Sequence, residues 1–254
     1  MCTVTVIPYR AGYRLVHSRD EQHARAPAHP PRPISTDPAA WAPIDPEGGG
    51  TWVATREDGL TVAVMNRNPT PRPTAPPAPI SRGLIVTEAI AHADSDGRAA
   101  DHLIRDKGPE HFRPFTLLAV GFENAAPVLR WWAWDGQTLS TNGPDPLTPS
   151  CWVSSGLGDE IVAARLPLFD ETVRPKANTE TQNAYHRHAW PDRGPESVLM
   201  DRQDARTVSI TTIEVPTPLL AAGRSGSDTP PSMTYEAVGR CGEIAAPESL
   251  VLAS

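Results

Sequence analysis

At 254 residues, 39% hydrophobic and 21% charged, the chain is long enough to bury a sizeable core and reads as one domain spanning residues 1–254. Its 23 basic and 30 acidic side chains leave a net charge of −7, and the basic ones are scattered, which excludes the clustered cationic face that a nucleic-acid partner demands. No stretch approaches the ~20 apolar residues of a membrane span and the N-terminus lacks the layout of a secretion signal, so integral membrane association is not expected and a cytoplasmic location is.

The opening MCTVTVIPYRAGYRLVHSRDE reads as a β-hairpin. TVTVI and YRLVHS are rich in β-branched and aromatic residues, and they flank YRAG, where Gly12 is expected to take a positive φ. Pairing Pro8 with Tyr13 around that turn puts Cys2 opposite Arg19, with opposed Cβ atoms roughly 4.5–5.5 Å apart. Asp20 then lies beside the first amino group. The proline-rich stretch from Arg25 to Gly50 is expected to be loop. Hairpin character returns in strands Thr51–Thr55 and Leu60–Met65, joined through Asp58-Gly59, and a second proline-rich stretch after Asn68 reads as a stiff surface loop.

From Arg82 to Arg105 apolar residues recur at helical spacing, interrupted at DSDG (94–97), which predicts two short helices around a turn. FTLLAVGF, VLRWWAWDGQTLSTNG and CWVSSG read as strands, with a tight turn at Asp135-Gly136. Trp132 and Trp134 share one strand face and Trp131 takes the other, a pattern of core packing. A helix is expected from about Asp159 to Val173. His186 and His188 are expected as a solvated pair on a strand. ESVLMD, RTVSITTIEV and SMTYEAV read as further strands, with LLAAGRSGSDTPP as a mobile loop. Strands outnumber helices and both come in blocks, which points to layered α+β architecture.

Three cysteines, Cys2, Cys151 and Cys241, odd in number and far apart, argue against a disulfide framework and against a zinc site. Cys2 carries the chemistry. A small second residue permits removal of Met1, leaving Cys2 with a free α-amine and a thiol on one residue. An α-amine titrates near 7.7–8.0 and a thiol near 8.5, so one residue supplies both nucleophile and base. Arg19 would stabilise the thiolate and Asp20 would orient the amine. Asn66, at the end of the apolar TVAVM run, is a candidate donor to an acyl-transfer oxyanion.

Met1-Cys2, Arg19-Asp20-Glu21, Gly49-Gly50-Thr51-Trp52 and Asn66, in that order, resemble the landmarks of the NRDE family, the transport and Golgi organisation protein 2 homologues. Arg82-Gly83, Val153–Leu157 and the segment from Arg206 look like further family segments. Ser18 stands where the family motif has asparagine. The resemblance implies a four-layer αββα sandwich of two antiparallel sheets, as in N-terminal-nucleophile hydrolases. It also implies Cys2 as nucleophile, Arg19 and Asp20 as its orienting pair, Asn66 as an oxyanion donor and Ser155 at the position of a second one. The expected partner is a small-molecule acyl substrate or a hydrophobic ligand, with no cofactor. The alternative the family offers is a non-catalytic haem- or lipid-handling protein, in which haem would be bound non-covalently.

Overall fold

The computed structural model describes residues 2–10, 12–77, 79–92, 104–217, 229–239 and 242–252. In chain order the elements are β1 (Cys2–Tyr9), β2 (Gly12–Gln22), β3 (His29–Thr36), β4 (Ala39–Ile44), β5 (Val53–Arg56), β6 (Thr61–Asn66) and α1 (Gly83–His92). There follow β7 (Phe115–Glu123), β8 (Ala126–Trp134), β9 (Leu139–Pro146), β10 (Ser150–Ser154), α2 (Arg165–Thr172), α3 (Thr179–His186), β11 (Ala205–Val215), β12 (Ser232–Ala237) and β13 (Glu248–Val251).

The strands form two antiparallel sheets, one in the order β10-β1-β2-β11-β12-β13 and the other β3-β4-β5-β6-β7-β8-β9. Strand alternation sends one face of each sheet to a shared interior. Val4, Val6, Tyr13, Leu15 and Ile213 of the first sheet meet Val53, Ala63, Leu118 and Val120 of the second there. The outer face of the second sheet packs on α1 through Val62, Leu117, Trp132 and Trp134 against Ile85, Ala89 and Ile90. Ile7, on the outer face of the first sheet, packs on Phe169 and Tyr185 of α2 and α3. The result is the expected α+β arrangement of helix, sheet, sheet and helix. Trp131 turns to the inter-sheet core while Trp132 and Trp134 face the helix, as the alternation required.

The opening hairpin adopts the expected register, with Cys2 opposite Arg19 and Pro8 opposite Tyr13. Its turn differs in detail. Arg10, not Gly12, takes positive φ (51°), and glycine is needed at position 12 for another reason: a Cβ there would lie 1.9 Å from the Val215 carbonyl oxygen.

Four other expectations are corrected. The Arg25–Gly50 stretch is not all loop, because β3 and β4 lie within it; β3 occupies the sheet edge, where Pro30, Pro31 and Pro33 forfeit no ladder hydrogen bond to a further strand. ESVLMD is not a sheet strand: β11 already occupies the position beside β2, so the segment runs across the outer face and buries Val198 against Phe169. The Asp159–Val173 helix is split into a 3₁₀ turn at Asp159–Val162 and α2. His186 is not on a strand surface but fully buried at the end of α3. That helix is announced by Asn178, whose side chain accepts from Thr181 N at 2.9 Å while Thr181 Oγ1 caps Asn178 N. The chain is helical again at 104–107; DSDG, most of the LLAAGRSGSDTPP segment and Cys241 lie outside the described residues.

Candidate active site

Segments from across the first half of the chain build one cavity of about 320 Å³, and Cys2, Arg19, Asp20 and Asn66 all line it. The hairpin register supplies the first three. Asn66 arrives from the end of β6, and its side-chain amide makes no hydrogen bond to another described residue. Two glycines let the next two segments meet. A Cβ on Gly50 would lie 2.5 Å from the Gly83 carbonyl carbon, and one on Gly83 would lie 3.0 Å from Thr51 N. Only backbone fits between the Gly49-Gly50-Thr51-Trp52 loop and the start of α1, and their close approach brings Trp52 and Arg82 to the cavity wall.

Arg19 is held on three sides. Its guanidinium lies 4.5 Å over the Trp52 ring, 3.1 Å from Glu21 Oε2 and 3.3 Å from Asp45 Oδ2. Arg25 reaches the same Asp45 oxygen at 2.6 Å. Burial by itself would raise the Asp45 carboxyl, but the hydrogen bond from Arg25 and the two guanidinium charges hold it below its ordinary value. A guanidinium stacked and paired in this way presents a fixed positive charge to the sulfur opposite.

Cys2 is 6% exposed. Its thiol is raised above the ordinary value, chiefly by burial and also by the Asp20 charge; the terminal amine, the Arg19 charge and a hydrogen bond from the Asp20 backbone N–H oppose that rise without cancelling it. The nitrogen of Cys2 donates to Ser154 Oγ at 3.1 Å, the residue directly across the β1–β10 ladder. Ser155, the serine singled out from the sequence, is buried beside it but does not line the cavity. Its Oγ accepts from Leu157 N at 3.2 Å and its N–H donates to Asp159 Oδ1 at 2.9 Å. Asp20 is anchored from behind: Thr207 Oγ1 donates to its Oδ1 at 2.7 Å, and the buried Arg165 lies 3.4 Å from its Oδ2.

Sequence reasoning missed Ser154, Arg82 and Arg113 as members of this site. Ser154 lies 152 residues from Cys2, and no local signal gives the register of a strand pair so far apart. Arg82 was visible as part of an Arg-Gly pair, without a role. A second cavity, about 490 Å³, shares Arg19, Glu21 and Arg25 with the first and has Pro27, Val238 and Ile244 on its wall.

His17 is buried in the same inter-sheet layer, and neither ring nitrogen finds a hydrogen-bond partner. Burial, the terminal amine and Arg19 bring its pKa down to about 3, so the ring is neutral. Among the described residues no helix is long and apolar enough to cross a membrane.

Comparison with known proteins gives two results. Among solved structures the chain is similar to a Caenorhabditis elegans N-acylethanolamine-hydrolyzing acid amidase ortholog, at 14% identity and a TM-score of 0.44, over 87% of this chain and 94% of that one. No curated protein matches it by sequence. The Transport and Golgi organisation 2 family matches residues 1–141, more than half of the sequence and all of the segments that bring Cys2, Arg19, Asn66 and Arg82 together, and the chain belongs to that family.

Proposed function

We propose that this protein is an N-terminal-cysteine hydrolase that cleaves an amide or related acyl bond of a small molecule. The observation that carries the reading is the pairing of Cys2 with a fixed Arg19 guanidinium on the wall of a cavity that also holds the Asn66 amide. The second cavity beyond Arg19 offers apolar wall for part of the ligand.

The chemistry starts with removal of Met1, which converts the Cys2 nitrogen beside Ser154 Oγ into an α-amine. That amine takes the thiol proton, and Arg19 favours the resulting thiolate. The sulfur attacks the acyl carbon, and the Asn66 amide donates to the oxyanion that forms. Collapse breaks the bond to the leaving group, which receives the proton held by the α-amine, and leaves an acyl thioester on Cys2. Water, deprotonated by the same amine, attacks the thioester; the acid departs and the thiol is restored. The step leans on the amine because its ordinary pKa lies close to neutrality, where a base and its conjugate acid are both available.

The test is intact-protein mass spectrometry before and after limiting iodoacetamide near neutral pH, with the modified residue mapped. The expected result is a chain lacking Met1 in which Cys2 alkylates well before Cys151, whose thiol is pushed up to about 12 by burial. Retention of Met1, or a Cys2 no faster than Cys151, overturns the reading and favours a binding protein with an idle thiol.

A further inference from the structure

Four guanidiniums line the cavity around Cys2, and they are not equivalent. Arg19 and Arg25 are both ion-paired with Glu21 and Asp45. Asp20, the third acidic group on the wall, is paired from behind with Arg165. Arg82 and Arg113 have no such partner: neither forms an ion pair with any described residue. Arg82 Nη1 instead donates to the Pro114 carbonyl at 2.9 Å, which ties it to the peptide that follows Arg113. The two cations therefore sit side by side. Burial and repulsion from the Arg113 charge bring the Arg82 pKa down to about 10.

Placing two like charges together on the wall of one cavity is unfavourable unless an anion enters. Arg82 also lies within electrostatic reach of the Cys2 sulfur and of Glu21, so an anion there would share the cavity with the nucleophile. We propose that Arg82 and Arg113 form an oxyanion-binding subsite, and that the molecule cleaved at Cys2 carries a carboxylate or a phosphate on the side away from the attacked acyl carbon. Two guanidinium forks match the planar or tetrahedral oxygens of either group, which a single lysine would not. The placement of the acyl bond rests on the hydrolase reading; the anion subsite stands on the unpaired arginines alone.

The experiment measures binding by calorimetry to the Cys2→Ser protein, which holds ligands without turning them over. The probes are hippurate, which joins an amide to a carboxylate, its neutral counterpart N-benzoylglycinamide, and phenyl phosphate. Hippurate or phenyl phosphate is expected to bind at least about tenfold more tightly than the neutral amide, the scale of a charge-assisted hydrogen bond. The tighter of the two identifies the group as carboxylate or phosphate.

Arg113→Gln and Arg82→Met should each remove about that tenfold advantage and leave the neutral amide unchanged. Arg113 is exposed, so its replacement keeps the test valid even where the Arg82 variant folds poorly. Equal affinity for hippurate and its neutral counterpart, with phenyl phosphate no tighter, overturns the proposal. So does oxyanion binding that survives both replacements, or the absence of oxyanion binding. Arginine-dependent binding together with an unreactive Cys2 in the alkylation assay would leave the subsite standing and sink the hydrolase reading.

Discussion

The two faces of the opening hairpin differ in how completely their polar groups are matched. On the face toward α2 and α3, each polar side chain of the buried layer is matched. Arg165 Nη1 donates to Thr3 Oγ1 at 2.8 Å, and His186 spans Thr5 Oγ1 and Ser18 Oγ at 2.7 Å each. Gln182 Nε2 reaches Thr5 Oγ1 at 2.8 Å, and Asp20 receives Thr207. On the opposite side Tyr13 and Arg19 are matched, but His17 within the layer, and Asn66, Arg82 and Arg113 around the cavity, keep hydrogen-bonding capacity that no described residue fills. A fully paired polar layer specifies and stiffens the strands. Unfilled capacity beside a cavity is capacity left for a ligand. The contrast also places Ser18, where the family motif has asparagine, on the scaffold side: its hydroxyl fits the His186 ring, while Arg19, one residue on, points to the cavity.

The largest effect expected from this contrast is on the cavity face. Cys2→Ser should lower acyl transfer by at least about a thousandfold, as removal of a nucleophile does, whereas Cys151→Ser should leave it near wild type. Equal losses in both variants, measured with a panel of amides and thioesters, would break the assignment of chemistry to one face.

On the scaffold face, Arg165→Met would strand the buried Asp20 carboxylate. A loss of about 3–5 kcal/mol is expected, as for one partner removed from a buried ion pair. Urea unfolding measures it, and a loss below about 1 kcal/mol would show that Thr207 suffices to hold Asp20.

The two buried histidines sharpen the comparison within a single residue type. His186→Leu orphans Ser18, removes one of the two partners of Thr5 Oγ1, and should cost about 1–3 kcal/mol. His17→Leu removes a ring that has no partner, so stability should stay level within about 0.5 kcal/mol or rise. A His17 variant as damaged as the His186 variant would mean that the ring is satisfied within the inter-sheet layer.

The last effect is one of pH. Both rings are held neutral in the fold, His17 with a pKa of about 3 and His186 well below its ordinary value, chiefly by burial. The unfolded rings titrate near 6.5, so below that pH the unfolded chain binds protons that the folded chain refuses. Stability from these groups is therefore complete above about 6.5 and falls as the pH drops below it, for His17 down to about 3. Each ring contributes about 1.4 kcal/mol per pH unit to that slope. Urea midpoints for wild type and His17→Leu between pH 7 and 5 should differ in slope by about one proton.

What could be read beforehand depended on how far apart the partners lie. The Cys2–Arg19 pairing was legible because a hairpin's register follows from its own turn. The β5–β6 hairpin was equally plain from Asp58-Gly59. The strands at β3 and β4 were not, since proline content signals loop unless the segment is known to lie at a sheet edge. His186 was misplaced because both its hydrogen-bond partners lie on strands β1 and β2, more than 160 residues earlier.

The sequence by itself determined the hairpin, the alternation that separates Arg19 from Ser18 and Asp20, the layered α+β class and the family landmarks, all from local periodicity and turn chemistry. Only the tertiary structure decided which serine meets the Cys2 nitrogen, that Gly50 and Gly83 close on one another, and that Arg82 and Arg113 are the cavity's unpaired cations. Those facts arise from long-range strand pairing and from the balance of charges around a shared space. Neither is encoded in the spacing of neighbouring residues.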